Sequence, residues 1–317
     1  MQTEQHPAYI LYTPDEITAP VFFENPHSAP NFEDFFEPAC DPIHIERQTD
    51  LYIDEITNML AAQNYSVIQS VIPRCYIDFN RSTGSVHPDH VREGKLSKLT
   101  PNPHALYAEK GLGLVHTYAY LESPRIQICK DLPTEDDILH RINSYWVPYH
   151  DKIKDIQNAH HAEFDETLII GCHSFPLAHM AEQDQMGGAT LFIGTRDDTT
   201  CDPAIKQAVI TSFERQGFKV ADNIVLKGAE LVRQHSDPEE GRHALQIEIA
   251  REAYMDNDTL EKRDADFTKI KEAFRIMAED VSEFMKDLNH QRKAAPSSSP
   301  LPDPARPSQS SAPAPSP

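Results

Sequence analysis

The length, composition and charge of the chain exclude several classes of protein. The sequence has 317 residues, enough for a sizeable core, and a formal net charge of -21 at pH 7. Because nucleic-acid binders need a basic surface to neutralise phosphates, we expect no nucleic-acid partner. No apolar run reaches membrane-spanning length, and the N-terminus lacks the charged and apolar regions of a signal peptide, so we expect no membrane partner either.

The cysteines indicate a reducing compartment. They are scattered along the chain without CxxC spacing, at Cys40, Cys75, Cys129, Cys172 and Cys201. This pattern fits reduced thiols in a cytoplasmic protein better than a disulfide framework or a zinc site built from thiolates.

The C-terminal residues differ in composition from the rest of the chain. From Ala294 to Pro317 the sequence consists mainly of Pro, Ser and Ala, with almost no charge. Such a segment buries too little apolar surface to repay the entropy of ordering, so we expect a disordered tail over 294–317. Residues 1–293 are then expected to form a single folded domain.

Segments typical of strands alternate with segments typical of helices along the chain. Strands are expected at 21–25, 66–73, 75–80, 167–173, 189–195 and 243–249. Helices are expected at 50–64 with Thr49 as N-cap, at 135–162 with a break near Pro148, at 204–218 after Asp202 and Pro203, and at 258–289. Residues 81–118 are expected to form loops at one edge of the sheet. The alternation predicts an α/β fold in which helices cover both faces of a mixed central sheet.

Polar residues stand where several predicted strands end, which is where ligands gather in open α/β sheets. His27 follows the first strand, Asp50 begins a helix, and His173 ends the strand at 167–173. Glu248 interrupts an apolar strand, and a carboxylate in such a place is rarely buried unless it is paired or functional. Two imidazoles and a carboxylate can bind zinc and leave a position open for water, for which a further carboxylate would be the general base.

Structural interpretations of the same residues remain open at this point. A single His at a strand end is more often hydrogen-bonded than bound to a metal, and Asp50 is better explained as a charge favoured at a helix N-terminus. Glu248 could form an ion pair with Arg251 or another cation. Cys172-His173-Ser174 lacks the GxSxG elbow of a hydrolase nucleophile. Composition and spacing alone therefore leave the metal site open.

Several segments match a known pattern in a fixed order between about residues 20 and 285. They are ENPHSAP with NFEDFF, TDLYIDEI, PRCYIDFNR, RINSYWVPYH, GCHSFP, IGTRDDTTCDP and GRHALQIEIAREAYMD. Together they resemble the N-formylglutamate amidohydrolase family, whose distant relatives are zinc carboxypeptidases and aspartoacylases. The resemblance implies a zinc-carboxypeptidase-like fold of the phosphorylase/hydrolase type and a catalytic domain that contains one zinc ion. It also implies cleavage of N-formyl-L-glutamate to formate and L-glutamate, in the cytoplasm, during histidine degradation.

The resemblance also implies roles for individual residues. His27, Asp50 and His173 would bind the zinc ion, with Asp54 as the reserve choice for the carboxylate, and Glu248 would be the general base. For the substrate, a small anionic N-acyl amino acid, it implies the side chains of Asn80, Arg81, Arg74, Arg233 and His235. Among these, Asn80 and Arg81 would hold a carboxylate, although Arg81 could instead pair with Asp78. Arg74 would polarise the scissile carbonyl or bind a second carboxylate, and Arg233 and His235 would line the pocket or lie on a surface loop.

Three positions depart from the family pattern. Gly171 stands where the family usually has Asp, Ala29 stands in place of a Gly, and Gly228-Ala229 in place of a Gly pair. Losing a carboxylate that orients a ligand histidine typically costs about 10–100-fold in metal affinity or activity. No predicted ligand is lost, so the enzyme hypothesis stands. Its alternatives are a related deacylase or carboxypeptidase-like hydrolase of another N-acyl amino acid or peptide, and a non-catalytic binder of acidic metabolites.

Overall fold

One mixed eight-stranded sheet forms the centre of the protein. The computed structural model describes residues 1–102, 105–119, 125–177 and 186–294. The strands are β1 (Gln2–His6), β2 (Tyr9–Thr13), β3 (Val21–Asn25), β4 (Val67–Ser70), β5 (Thr167–Phe175), β6 (Leu191–Gly194), β7 (Val220–Asp222) and β8 (Arg242–Ala250). Their order is β1-β2-β4-β3-β5-β8-β6-β7. The central run β4-β3-β5-β8 is parallel, whereas β1 with β2, β2 with β4 and β6 with β8 are antiparallel.

Helices pack on both faces of this sheet, as the alternation of segments predicted. They are α1 (Pro42–Glu46), α2 (Ile53–Ala62), α3 (Leu106–Glu109), α4 (Glu135–Arg141), α5 (Val147–Glu163), α6 (Pro203–Arg215), α7 (Glu230–Gln234) and α8 (Asp264–Ala294). Within the described residues, none of the helices has both the length and the apolar character needed to cross a membrane.

Period-two alternation in the central strands divides the core into two layers. In β8, Leu245, Ile247 and Ile249 pack with α2, α6 and α8, whereas Ala244 belongs to the cluster that contains α5 and α7. Strands β3 and β5 alternate in the same way. Gly171, His173 and Glu248 therefore lie on the side of α5 and α7, because successive strand residues point to opposite faces.

The start of α2 differs from the prediction. The helix begins at Ile53 rather than Asp50, and Thr49 is not its N-cap. The preceding residue, Tyr52, has a left-handed φ of 68° and forms no side-chain cap. Asp50 therefore lies in a turn outside the helix, and its backbone N–H donates to the carbonyl oxygen of His27 at 3.0 Å.

The strand predicted at 75–80 is wrong, because this segment forms turns instead. The carboxylate of Asp78 accepts from the N–H of Asn80 at 2.8 Å, and its carbonyl oxygen accepts from the N–H of Arg81. The N–H groups of Tyr76 and Ile77 likewise bond locally, to the carbonyl oxygen of Pro73, whereas the Asp78 N–H donates to the carbonyl oxygen of Leu114. Asp78 is buried as a result, with its side chain directed at His27.

The helices predicted at 135–162 and 258–289 and the loops predicted at 81–118 are present, with differences in detail. A π-helical turn over Ile142–Trp146 separates α4 from α5 just before Pro148, which explains the predicted break. Helix α8 begins at Asp264 rather than residue 258, because Asp256 accepts backbone N–H bonds from Asp258 and Thr259 in a turn. It continues to Ala294, and the tail predicted from 294 onward otherwise lies outside the described residues. Residues 81–118 are mostly loops, where described, but they reach the carboxyl ends of the central strands rather than one edge of the sheet.

Candidate metal centre and active site

The candidate site lies at the carboxyl ends of β3, β5 and β8. These strands are parallel neighbours, so their ends meet on one side of the sheet. His27 follows β3 by two residues, and His173 in β5 is in register with Glu248 in β8. Strand β5 continues to Phe175, so His173 lies inside the strand rather than at its end. The hydrogen bond from Asp50 to the His27 backbone brings a third chain segment to the same point.

His27, Asp50 and His173 form a buried group that could hold a metal ion. The Nδ1 atoms of the two histidines are 3.2 Å apart. Oδ2 of Asp50 lies 3.2 Å from Nδ1 of His173 and 3.4 Å from Nδ1 of His27. Ligands about 2.0–2.1 Å from a tetrahedral zinc ion lie about 3.3 Å from one another. The donor atoms and their spacing therefore fit such an ion, and the group contains Asp50 rather than the reserve residue Asp54.

The outward ring nitrogen of His27 supports this arrangement. Its Nε2 lies 2.8 Å from Oδ1 of Asp78, and a second oxygen of Asp78 accepts from Nη2 of Arg74 at 2.9 Å. Burial would raise the pKa of Asp78, but His27 and Arg74 hold it well below its ordinary value. An ionised Asp78 accepts a hydrogen bond from the Nε2–H of His27, and the lone pair of Nδ1 then faces the group.

Charge in the candidate metal group favours a cation. Burial would raise the pKa of Asp50, but hydrogen bonds to His173 and His27 hold it far below its ordinary value. Burial would lower the pKa of His173, but Asp50, Glu24 and Glu248 raise it to about 10. Without a metal ion, a proton on His173 is therefore the cation that these carboxylates stabilise.

Glu248 is suited to accept and return a proton. Its side chain is buried, and Nε2 of Gln246 donates to its Oε1 at 2.6 Å. Burial raises the pKa of Glu248, and the charge of Asp50 adds to the rise, while His173 and Arg74 oppose it. A raised carboxyl pKa brings proton exchange closer to neutral pH, as general acid–base catalysis requires.

A cavity of about 260 Å³ opens over the candidate metal group, and cationic side chains line it. His27, His173 and Glu248 line it. Among the residues that the structure describes, five cationic side chains share the wall, namely Arg47, Arg74, Arg81, Lys227 and Arg251. In a chain of net charge -21, such a cluster provides the local field that an anionic ligand needs.

Arg74, Asn80 and Arg81 lie together in the cavity wall. Nη1 of Arg74 is 3.6 Å from Oδ1 of Asp50, so Arg74 contacts the metal group. The guanidinium of Arg81 donates to the carbonyl oxygens of Asn80 and Leu112 and lies over the ring of Tyr107. The amide of Asn80 donates to Gln246 and accepts from the Leu231 N–H. Within the described residues, the ion pair that Arg81 could have made with Asp78 is made by Arg74.

Two residues predicted to line the pocket lie elsewhere. Arg233 is 53% exposed and pairs with Glu230 on α7, so its charge is directed away from the cavity. His235 is buried behind the site, where its Nε2 contacts Nδ1 of His150 at 2.8 Å. It lines a separate small cavity with Glu24 and Gly171. The structure therefore does not bring these two side chains to the candidate substrate pocket.

The site also contains residues to which the sequence motifs give no role. His116 is buried in the cavity wall, 3.3 Å from Asp78, and burial lowers its pKa to about 4. Arg251, which could have paired with Glu248, instead contacts Asp50 at 3.4 Å and the carbonyl oxygen of Thr49. One indication of Asp78 was present in the sequence, because it follows Arg74 by four residues and could pair with it. The strand predicted at 75–80 did not allow for this contact.

A cluster of two imidazoles and a carboxylate, beside a further carboxylate with a raised pKa, is typical of hydrolases that activate water on a metal ion. Residues 19–255 match the sequence profile of the family described as N-formylglutamate amidohydrolase. The match covers most of the chain, and the chain belongs to this family of hydrolases.

Named relatives agree with this assignment. The chain is 29% identical over 127 residues to an N-formylglutamate deformylase of Pseudomonas aeruginosa, a match over 39% of this chain and 47% of that protein. It thus spans about half the length of that relative. It is 23% identical over 211 residues to an N-formylglutamate deformylase of Pseudomonas putida, which covers 66% of this chain and 71% of the relative.

Two crystal structures are similar in fold. The N-formylglutamate amidohydrolase of Ralstonia eutropha JMP134 superposes with a TM-score of 0.78 and 24% identity, over 88% of this chain and 99% of that one. A gene product of Agrobacterium tumefaciens gives a TM-score of 0.58 with 16% identity, over 87% and 96% of the two chains. The α/β architecture with a large mixed sheet is thus shared across these proteins.

Proposed function

We propose that the chain is a zinc-dependent amidohydrolase that cleaves N-formyl-L-glutamate to formate and L-glutamate. The observation that carries the proposal is the buried group of His27, Asp50 and His173, with Glu248 beside it, in a cationic cavity. Membership of the family and the names of the Pseudomonas relatives support the choice of substrate.

The chemistry follows from the side chains of the site. His27, Asp50 and His173 would hold the ion, which when bound lowers the pKa of water to about 7 and polarises a carbonyl oxygen. Glu248 accepts a proton from the water molecule while the water oxygen attacks the formyl carbon. Glu248 then returns this proton to the amide nitrogen as the C–N bond breaks, which yields formic acid and the free amine. The acid ionises to formate, and the amine of L-glutamate takes up that proton.

The cations of the cavity have separate tasks in this proposal. Arg74, next to Asp50, stabilises the negative charge that develops on the formyl oxygen. Arg81 binds a carboxylate of the substrate, and its contacts with two carbonyl oxygens and Tyr107 hold the guanidinium in place. Asn80 donates one amide N–H to Gln246, so its second N–H can serve the same carboxylate.

Further parts of the proposal rest on the resemblance. They are the likeness to zinc carboxypeptidases, the single catalytic domain over residues 1–293, a cytoplasmic location and a place in histidine degradation. Each stays a prediction beside the assignment of the site.

The first prediction concerns Glu248. Glu248→Gln keeps the shape of the side chain but removes the proton acceptor, so formate release from N-formyl-L-glutamate should fall by about 10²–10⁴-fold. The zinc content of the purified variant should equal that of the wild type, because Glu248 is not in the metal group. Formate release and metal content are measured on the same samples.

Glu163→Gln is the matched control, because Glu163 is exposed at the end of α5. It should change neither quantity. Turnover of Glu248→Gln at the wild-type rate would contradict the proposed base. Cleavage of acetylated or peptide substrates by the wild type, without formate release from N-formylglutamate, would instead support a related deacylase. A protein that binds glutamate-like ligands without metal or hydrolysis would be a non-catalytic binder.

A further inference from the structure

Glu24 occupies the space that a side chain at position 171 would take. Strands β3 and β5 pair in parallel with Glu24 in register with Gly171. A Cβ atom added at Gly171 would lie 2.6 Å from Oε1 of Glu24 and 3.5 Å from Nε2 of His173. Since real Cβ atoms do not approach an oxygen so closely, the Glu24 carboxylate can take this position only beside a glycine.

His173 lacks a hydrogen bond on the side that faces Glu24. Its Nδ1 faces His27 and Asp50 in the metal group, whereas its Nε2 is buried without a hydrogen-bond partner among the described residues. Oε1 of Glu24 lies 3.7 Å from this Nε2, within reach after a small shift. A histidine that binds an ion through Nδ1 has its proton on Nε2, so the N–H of His173 would face the Glu24 carboxylate.

The other oxygen of Glu24 is fixed by the helix that covers the site. The hydroxyl of Tyr149, on α5, donates to Oε2 of Glu24 at 3.1 Å, and the Tyr149 ring is stacked on Phe79. Glu24 is only 1% exposed. Burying a carboxylate is costly unless it is paired, and besides the Tyr149 hydroxyl the group that Glu24 faces is the imidazole of His173.

The arrangement around His173 resembles the one around His27, but with a longer distance between the ring and the carboxylate. Asp78 stands behind Nε2 of His27 and is held by Arg74, while Glu24 stands behind Nε2 of His173 and is held by Tyr149. In both cases a buried carboxylate faces the ring nitrogen opposite the metal group. Such partners fix the ring orientation and tautomer of ligand histidines.

We propose that Glu24 is a positioning residue that orients His173 as a metal ligand, and that Gly171 is required because it makes room for the Glu24 carboxylate. The carboxylate that the family usually has at position 171 is thus supplied by the neighbouring strand. The inference rests on the proposed metal centre and adds two residues, Glu24 and Gly171, whose effects on metal binding depend on one another.

The test measures the zinc affinity of the full chain by competition with a chromophoric chelator. Glu24→Gln, which keeps the volume but not the charge, and Glu24→Ala should each weaken zinc binding, Glu24→Ala by about 10–100-fold. Gly171→Asp alone should also weaken it, because two carboxylates then compete for one space. The double variant Glu24→Ala/Gly171→Asp should recover most of the wild-type affinity.

Glu166→Gln is the matched control, because Glu166 is another buried carboxylate that contacts a histidine, His243, at 2.6 Å. It should leave zinc affinity unchanged. A merely structural role for Glu24 would leave the double variant with a zinc affinity no higher than that of Glu24→Ala alone, because relief of the steric clash does not by itself support His173, and that result overturns the inference. Wild-type affinity in Glu24→Gln also overturns it, even if Glu24→Ala fails to fold.

Failure of the inference and failure of the proposed function give different results. A wild-type protein that binds zinc with the expected pattern among variants, but releases no formate, supports the inference and contradicts the proposed substrate. A wild-type protein that releases formate with zinc affinities unaffected by position 24 overturns the inference alone. A wild-type protein that binds no zinc overturns both.

Discussion

Each histidine of the candidate metal group uses one ring nitrogen toward the group and the other toward a carboxylate. His27 faces Asp78 in this way, and His173 faces Glu24. The sequence suggested the residues of the metal group through their places at strand ends and through the family motifs. It could not suggest the carboxylates behind the two rings, because Asp78 is placed there by the turn at 75–80 and Glu24 by the register of β3 and β5.

The role proposed for Arg81 can be tested by removing its charge. Arg81→Ala removes the charge assigned to a substrate carboxylate, and a hydrogen bond to a charged group is worth about 1.5–3 kcal/mol. KM for N-formyl-L-glutamate should therefore rise by about 10–100-fold, with a smaller change in kcat. Steady-state kinetics of formate release measure both.

Arg233→Ala is the control for this prediction. Arg233 was also expected to line the pocket, but its guanidinium pairs with Glu230 at the surface. The KM of the Arg233→Ala variant for N-formyl-L-glutamate should match that of the wild type. A rise in KM for Arg233→Ala, with none for Arg81→Ala, would contradict the assignment of the cavity wall.

At the scale of elements, alternating apolar residues predicted the central strands and their buried faces. Strands β3, β5, β6 and β8 lie where expected, and Asp202 caps α6 by accepting from the N–H of Ala204. The outer strands β1, β2 and β7 were missed because they are short and partly exposed, so they carry little periodic signal. The start of α2 depends on the left-handed Tyr52, which no local residue preference indicates.

The end of α8 is tied to the entry of β5. Arg292 pairs with Glu166 and lies 2.7 Å from Asp202, and Asn289 accepts from the Glu166 N–H. Arg292→Ala should lower the free energy of unfolding by about 1 kcal/mol, because it breaks two partly exposed ion pairs. Denaturant unfolding at pH 7 measures this change.

Arg275→Ala on the same helix is the matched control. Its partners, Glu272 and Glu279, are both more than half exposed, so the loss should be smaller than for Arg292→Ala. Equal losses in the two variants would show that the contact with Glu166 has no special weight.

Over the whole molecule, several buried neutral histidines contribute to the response to acid. Burial lowers the pKa of His160 to about 4 and that of His235 to about 3, and it places that of His150 well below its ordinary value. The unfolded chain binds protons at these positions near pH 6.5, before the folded chain does. Their contribution to stability is thus complete above pH 6.5 and is lost as the pH falls toward the folded pKa values.

His160→Gln tests this sign. The side chain bridges the carbonyl oxygen of Ala19 and the hydroxyl of Ser66, so the variant should be less stable at pH 7. Between pH 6.5 and pH 5 the wild type should lose about 1.5 kcal/mol relative to the variant, since the unfolded imidazole is half-protonated at pH 6.5 and one full proton corresponds to about 1.4 kcal/mol per pH unit. Denaturant titrations at several pH values measure the difference, and a difference that does not change with pH would contradict it.

The central claim is that one divalent ion binds to His27, Asp50 and His173. X-ray diffraction from crystals of the zinc-loaded full chain, with data on both sides of the zinc absorption edge, tests it most directly. We expect a single strong anomalous peak about 2 Å from Nδ1 of His27, Nδ1 of His173 and Oδ2 of Asp50. A zinc peak bound to other residues, or none at this group, would contradict it.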